Sequence, residues 1–129
     1  MPDLGWTSDD TATIVAVIEA VIAGTDADGD VYAGRAPYGA SPPFVNVWHL
    51  EPEIIAAGLA AETAGMAHQR WQVSPHGRSQ MEARNMAERI VQWSWPSGWE
   101  LVEIGPMVED TEDEPPTWFV PVTVVFRGA

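Results

Sequence analysis

The stretch from His68 to Trp93, HQRWQVSPHGRSQMEARNMAERIVQW, constrains the fold more than any other part of the chain. Its first half alternates. Trp71 and Val73 fall on one side and Arg70, Gln72 and Ser74 on the other, the period of a strand with one wet face. A Pro/Gly break at Pro75 and Gly77 then gives way to Ser79-Gln80-Met81-Glu82, which has capping-box form. Behind this cap, Ala83, Met86, Ala87, Ile90 and Val91 recur at helical spacing, with Glu82, Asn85, Arg89 and Gln92 on the opposite side. A strand feeding an amphipathic helix is an α+β building block with no reaction centre in it.

The rest of the chain supplies partners for that block. Thr7 or Ser8 can cap a first helix whose apolar stripe is Ile14, Val17, Ile18 and Val21, and Gly24 stands at the stop position. A turn cluster, TDADGD, leads into a short strand at Val31-Tyr32-Ala33. The three prolines and two glycines of GRAPYGASPP read as a loop or extended edge. Phe44 to Leu50 is a strand with Val45 and Val47 on one face and Phe44, Asn46 and Trp48 on the other. Residues 51–67 read as a connection or hairpin arm, because Gly58, Thr63 and Gly65 weaken a helix there.

After the second helix, WSWPSGW reads as a turn and Glu100 to Ile104 as a short strand. Met107 to Pro116 reads as a solvated, mobile acidic loop, and Trp118 to Phe126 as one closing strand. In that strand Pro121 marks an edge or bulge. The expected fold is one α+β domain over 1–129: a mostly antiparallel sheet of four to five strands with two helices packed on one face. The other face must then meet something else.

Composition narrows the function. Nineteen acidic residues against six basic ones give a formal net charge of −13 over 129 residues. That surface repels a phosphate backbone, yet suits the wall of a passage through which DNA slides without sticking. Seven tryptophans suit subunit contacts as well as a core. No cysteine is present, which removes disulfides, thiolate metal sites and cysteine nucleophiles. No apolar run reaches the roughly 18 residues of a membrane span, and MPDLGWTSDD is acidic where a signal peptide is basic. A soluble protein without a membrane partner is expected.

Reaction chemistry finds little to stand on. Asp26, Asp28 and Asp30 alternate as in a calcium loop, but Gly29 comes too early and the twelfth position is Pro37. His49, His68 and His76 have no zincin spacing, so a small metal-binding enzyme built on them is the weaker alternative. There is no G-x-S-x-G elbow and no phosphate loop. No catalytic residue, metal or cofactor is therefore expected. Among the arginines, Arg78–Glu82 and Arg84–Glu88 are spaced for i, i+4 pairing. Arg70 and Arg78 are alternatively placed to meet acidic segments of a neighbouring copy.

Taken in order, the N-terminal helix, the GRAPYGASPPFVNV segment, the QRWQVSPHGRSQMEARNMAERIVQW unit and the acidic insertion before WFVPVTVVF resemble the tail terminator (tail-completion) proteins of long-tailed bacteriophages. The resemblance implies a non-enzymatic virion protein assembled in the host cytoplasm. Such a protein forms a homo-oligomeric ring, usually a hexamer, that caps the tail tube protein and presents a surface to the head-side connector or stopper. DNA would pass through without specific binding. On that reading Arg70, Arg78, Trp118 and Pro121 are candidate subunit contacts. Glu109, Asp110, Glu112, Asp113 and Glu114 would lie on a ring surface or in the lumen. Another neck component, a stopper, adaptor or minor tail protein, is the nearest alternative.

Overall fold

Local chemistry at Ser79 sets the frame of the molecule. In the computed structural model, which describes residues 8–37, 39–53, 68–112 and 116–126, Ser79 has extended backbone and its Oγ accepts the Glu82 N–H at 3.1 Å. Glu82 reaches back one residue further than a capping box requires and accepts the Arg78 N–H at 2.7 Å. Helix α2 (Gln80–Gln92) starts there and buries Ala83, Met86, Ala87 and Ile90. Its far end is closed by the Trp95 indole, which donates to the Ile90 carbonyl at 3.0 Å.

Helix α1 (Ser8–Ile22) buries Ile14, Ile18, Val21 and Ile22 beside α2. It has no basic residue in its own last turn. Arg89 of α2 supplies the cation instead, donating to the Val21 carbonyl at 2.8 and 3.0 Å. The Thr25 hydroxyl takes the Ile22 carbonyl at 2.6 Å. The two helices are therefore tied end to side as well as packed.

Among the described residues the sheet has seven strands rather than four or five: β1 (Val31–Ala33), β2 (Phe44–Glu53), β3 (His68–Gly77), β4 (Trp99–Ile104), β5 (Val108–Asp110), β6 (Thr117–Phe119) and β7 (Val122–Phe126). β1 runs parallel to β2, and every other pairing is antiparallel. The extra strands come from interruption. β6 and β7 keep a single register on β3, with Gly77↔Trp118 and His76↔Phe119 before the break and Val73↔Val122 to Gln69↔Phe126 after it. Between them the chain carries Pro121 opposite the stretch that contains Pro75, and neither proline has an N–H for the ladder. The single closing strand expected from Trp118 to Phe126 is thus two strands in one line.

The outer ribbon is divided in the same place: β4 pairs with β7 and β5 with β6. Where β4 ends, the Gly105 N–H donates to the Pro121 carbonyl at 2.8 Å. A side chain at Gly105 would meet the Pro121 ring at 2.6 Å, so the absence of one permits the approach. Met107–Pro116, expected as a mobile acidic loop, instead contains strand β5. Residues 54–67, expected as a connection or hairpin arm, lie outside the described residues, though the arms β2 and β3 on either side are paired.

Both helices lie on one face of the sheet, over Val45, Val47, Trp71, Val73, Val122 and Val124. At one end of this face Trp71, Trp95, Trp99 and Phe126 pack ring against ring, with centroids 4.7 to 6.5 Å apart. Three of the seven tryptophans are used inside the chain in this way.

Candidate functional site

Among the described residues, two regions of the sheet carry no helix: its outer edges and its second face. The edge formed by β4 and β5 carries Val102, Ile104 and Val108, all exposed, with Ile104 55 % accessible. Glu100, Glu103 and Glu109 are interleaved with them. Beside this edge an apolar hollow of about 300 Å³ lies between α2 and the sheet, lined by Ala87, Val91, Ile104, Met107 and Val120, with Arg84 at its margin. The opposite edge is β1, only three residues long.

The second face is built from Phe44, Asn46, Trp48, Gln72, Ser74 and His76, the residues that alternate away from the helices. His76 is buried between Phe44 and Phe119, stacked at 4.7 Å on each side. Tyr32 meets Phe44 edge-on at 6.0 Å. His76 Nδ1 lies 2.9 Å from the Thr117 hydroxyl, and Asn46 Nδ2 lies 3.5 Å from His76 Nε2. Arg35, from the loop after β1, meets Glu112, beyond β5, at 2.9 Å. The loop and the β5–β6 hairpin thereby join at the rim of this face.

The residues singled out in the sequence fall in several places. Arg70 lies in the central strand β3, opposite Leu50 and Val125, on the face away from the helices. Arg78 is engaged within its own chain, by Glu82 at 2.8 Å and Asp26 at 3.4 Å. Hydrogen bonding to Glu82 is the main cause that raises its pKa above the ordinary value. Trp118 is half-buried in β6, between β5 and β3. Pro121 sits at the interruption against Gly105, inside the sheet rather than along its rim.

Of the acidic set, Glu109 and Asp110 belong to β5, and Glu112 follows in the turn, where its N–H donates to Asp110 Oδ1 at 3.0 Å. Asp113 and Glu114 lie outside the described residues. Asp28 Oδ2 accepts the Gly24 N–H at 2.9 Å, a turn-closing role. His49 stacks on Trp71 at 4.9 Å and contacts Gln69 at 3.1 Å, on the opposite face from His76. The structure therefore does not bring His49 and His76 together, and the side chain of His68 lies outside the described residues. Among the described residues no group of three or more His, Asp or Glu gathers as a metal site. No helix among them is long and apolar enough to cross a membrane.

Sequence reasoning missed the Asn46–His76–Thr117 chain. Its only trace was an asparagine alternating with two aromatic residues in a strand otherwise free of polar side chains up to His49. Comparison with protein-family models and with curated protein sequences gives no match for the chain.

Proposed function

We propose that this chain is a structural subunit of a long-tailed bacteriophage virion, a neck protein of the tail-terminator kind that closes into a ring on the tail tube and meets the head-side connector. The observation that carries this reading is the pair of unlike sheet edges. One is the long β4–β5 ribbon with Val102, Ile104 and Val108 exposed; the other is the short parallel strand β1. Two different edges on opposite sides favour a head-to-tail contact, which generates a ring when its rotation closes. Interleaved glutamates keep such an edge from open-ended pairing. A net charge of −13 suits a conduit that DNA traverses without binding.

Light scattering coupled to gel filtration, with negative-stain images of the same fractions, tests the reading. Closed rings are expected, and Ile104→Lys together with Val102→Lys should return them to monomers. A monomer at every concentration overturns the proposal. Rings that bind the portal side and leave tail length unaltered when the protein is removed would instead favour a stopper or adaptor.

A further inference from the structure

The two open edges of the sheet differ in charge as well as in length, and the charges complement one another. Among the described residues β4 pairs only with β7 and β1 only with β2, so each edge offers a free row of backbone donors and acceptors. Side chains along β4 divide by pleat. Leu101 and Ile104, opposite Val124 and Val122, lie on the helix face; Glu100 and Glu103, opposite Val125 and Thr123, lie on the second face. Both glutamates are exposed. A bulge between Leu101 and Glu103 absorbs Val102.

β1 divides in the same way. Val31 and Ala33, level with Val45 and Val47, share the helix face, whereas Tyr32 meets Phe44 on the second face. After β1 the left-handed backbone of Gly34 (φ 95°) turns the chain, and Arg35 comes to the rim of the second face beside Phe44. The other described bases stand elsewhere. Arg78 is held by Glu82 and Asp26, Arg89 by the Val21 carbonyl, Arg70 lies in the central strand β3, and Arg84 borders the hollow beside α2. Arg35 is therefore the base that the β1 edge presents. Its bond to Glu112 is exposed on both partners, and a pair of that kind is readily exchanged for another.

Topology sets the direction of approach. β1 runs with β2 and β7, and against β3 and β4. A copy that extends the sheet with its helices on the same side brings its β1 antiparallel to the neighbour's β4. Apolar Val31 and Ala33 then fall on the side of Leu101 and Ile104, while Tyr32 and Arg35 fall on the side of Glu100 and Glu103. A net charge of −13 sets copies against one another, so opposite charges at the seam select this contact over others.

We infer that the sheet runs unbroken from copy to copy, β1 of one pairing antiparallel with β4 of the next, and that Arg35 recognises the neighbour's Glu103 across the seam. This rests on the ring-forming reading and names the residues that make its contact.

The test is assembly mass by light scattering on the purified full chain and its variants over a range of protein concentration. Arg35→Glu and Glu103→Arg should each raise the concentration at half-assembly by about tenfold or more, because each sets like charges together at the seam. Combining both reversals in one chain should restore assembly, whatever number of copies closes the ring, and a folding defect in either single variant cannot produce such a rescue. Glu112→Gln, which only releases Arg35 within its own chain, should leave assembly at parental strength or above it. Parental assembly by either single reversal, or no rescue in the combined variant, overturns the inference while the parent's own rings leave the ring-forming reading standing. A parent that never assembles overturns both.

Discussion

Under the helices, the sheet meets α1 and α2 through Val45, Val47, Trp71, Val73, Val122 and Val124, and the Trp71 indole N–H finds Thr11 Oγ1 at 3.3 Å. On the other face Phe44, Asn46, His76 and Phe119 meet a loop and a hairpin, and one carbonyl is left unmatched. The first face is closed by aliphatic interdigitation that two helices hold in place. The second has stacked rings and a short hydrogen-bonded chain around a hollow. The difference teaches how unevenly the two faces are packed. A densely filled layer loses free energy with any deletion, whereas a layer with a cavity and an orphan acceptor already bears the cost of something not optimised for folding alone.

The largest effect expected is on Trp71. It is fully buried under the helices and touches Trp99 at 5.1 Å, so Trp71→Ala should lower unfolding free energy by about 3–5 kcal/mol. Asn46→Leu is its counterpart across the sheet, of similar volume and without the unmatched carbonyl. Its stability should lie within about 0.5 kcal/mol of the parent, because removing an unsatisfied buried group offsets the loss of one long contact. Urea unfolding of the two variants measures both. Comparable losses from the two faces would break the comparison.

How much of this was legible beforehand depends on how local each signal is. The β3–α2 unit could be read closely because its period changes from 2 to 3.6 within one stretch and Ser79 marks the change. The alternation of Phe44, Asn46 and Trp48 away from Val45 and Val47 was equally plain. Strand β5 was not: it is three residues long, two of them acidic, and it exists only because β6 pairs with it. The interruption at Pro121 was visible as a proline, but its meaning depends on Pro75 in a strand more than forty residues earlier. The Asn46–His76–Thr117 chain joins residues 30 and 41 positions apart, and no spacing rule reaches that far. Arg89 shows the same limit: its spacing puts it on the polar side of α2, yet it closes the end of α1, whereas the Arg78–Glu82 pair, four residues apart, is legible from spacing alone.

Gly77 offers a sharper test of the helix-covered face. It is buried at the end of β3, where a Cβ would lie 2.6 Å from the Ala83 backbone nitrogen and 2.9 Å from Glu82 Cβ. The obstacle is helix backbone rather than a flexible side-chain tip, so α2 has to move for an alanine to fit. Gly77→Ala should therefore cost about 1–3 kcal/mol, the range for overpacking. Thermal melts measure it, and a neutral result would mean that the seam between β3 and α2 is looser than the face it belongs to.

The smallest effect expected lies at the exposed start of the same helix. The hydrogen bond from the Arg78 side chain holds the Glu82 carboxyl below the ordinary carboxylate range; partial burial opposes this, and the Arg78 backbone N–H reinforces it. Because the folded-state value is depressed, the contribution is present above the unfolded-state pKa of about 4.3 and is lost as pH falls through the lower folded value. Glu82→Gln should cost about 0.2–1 kcal/mol at pH 7, since the Arg78 end of the pair is largely solvated, and the deficit should shrink as the pH is taken down through 4 towards 3. Glu112→Gln, at the rim of the other face, removes an ion pair exposed on both sides and should change nothing measurable. Denaturant melts at several pH values distinguish the two. A Glu82→Gln deficit that persists unchanged at pH 3 would mean that the cap acts through shape rather than charge. The helix-covered face would then owe nothing to ionisation at its margin.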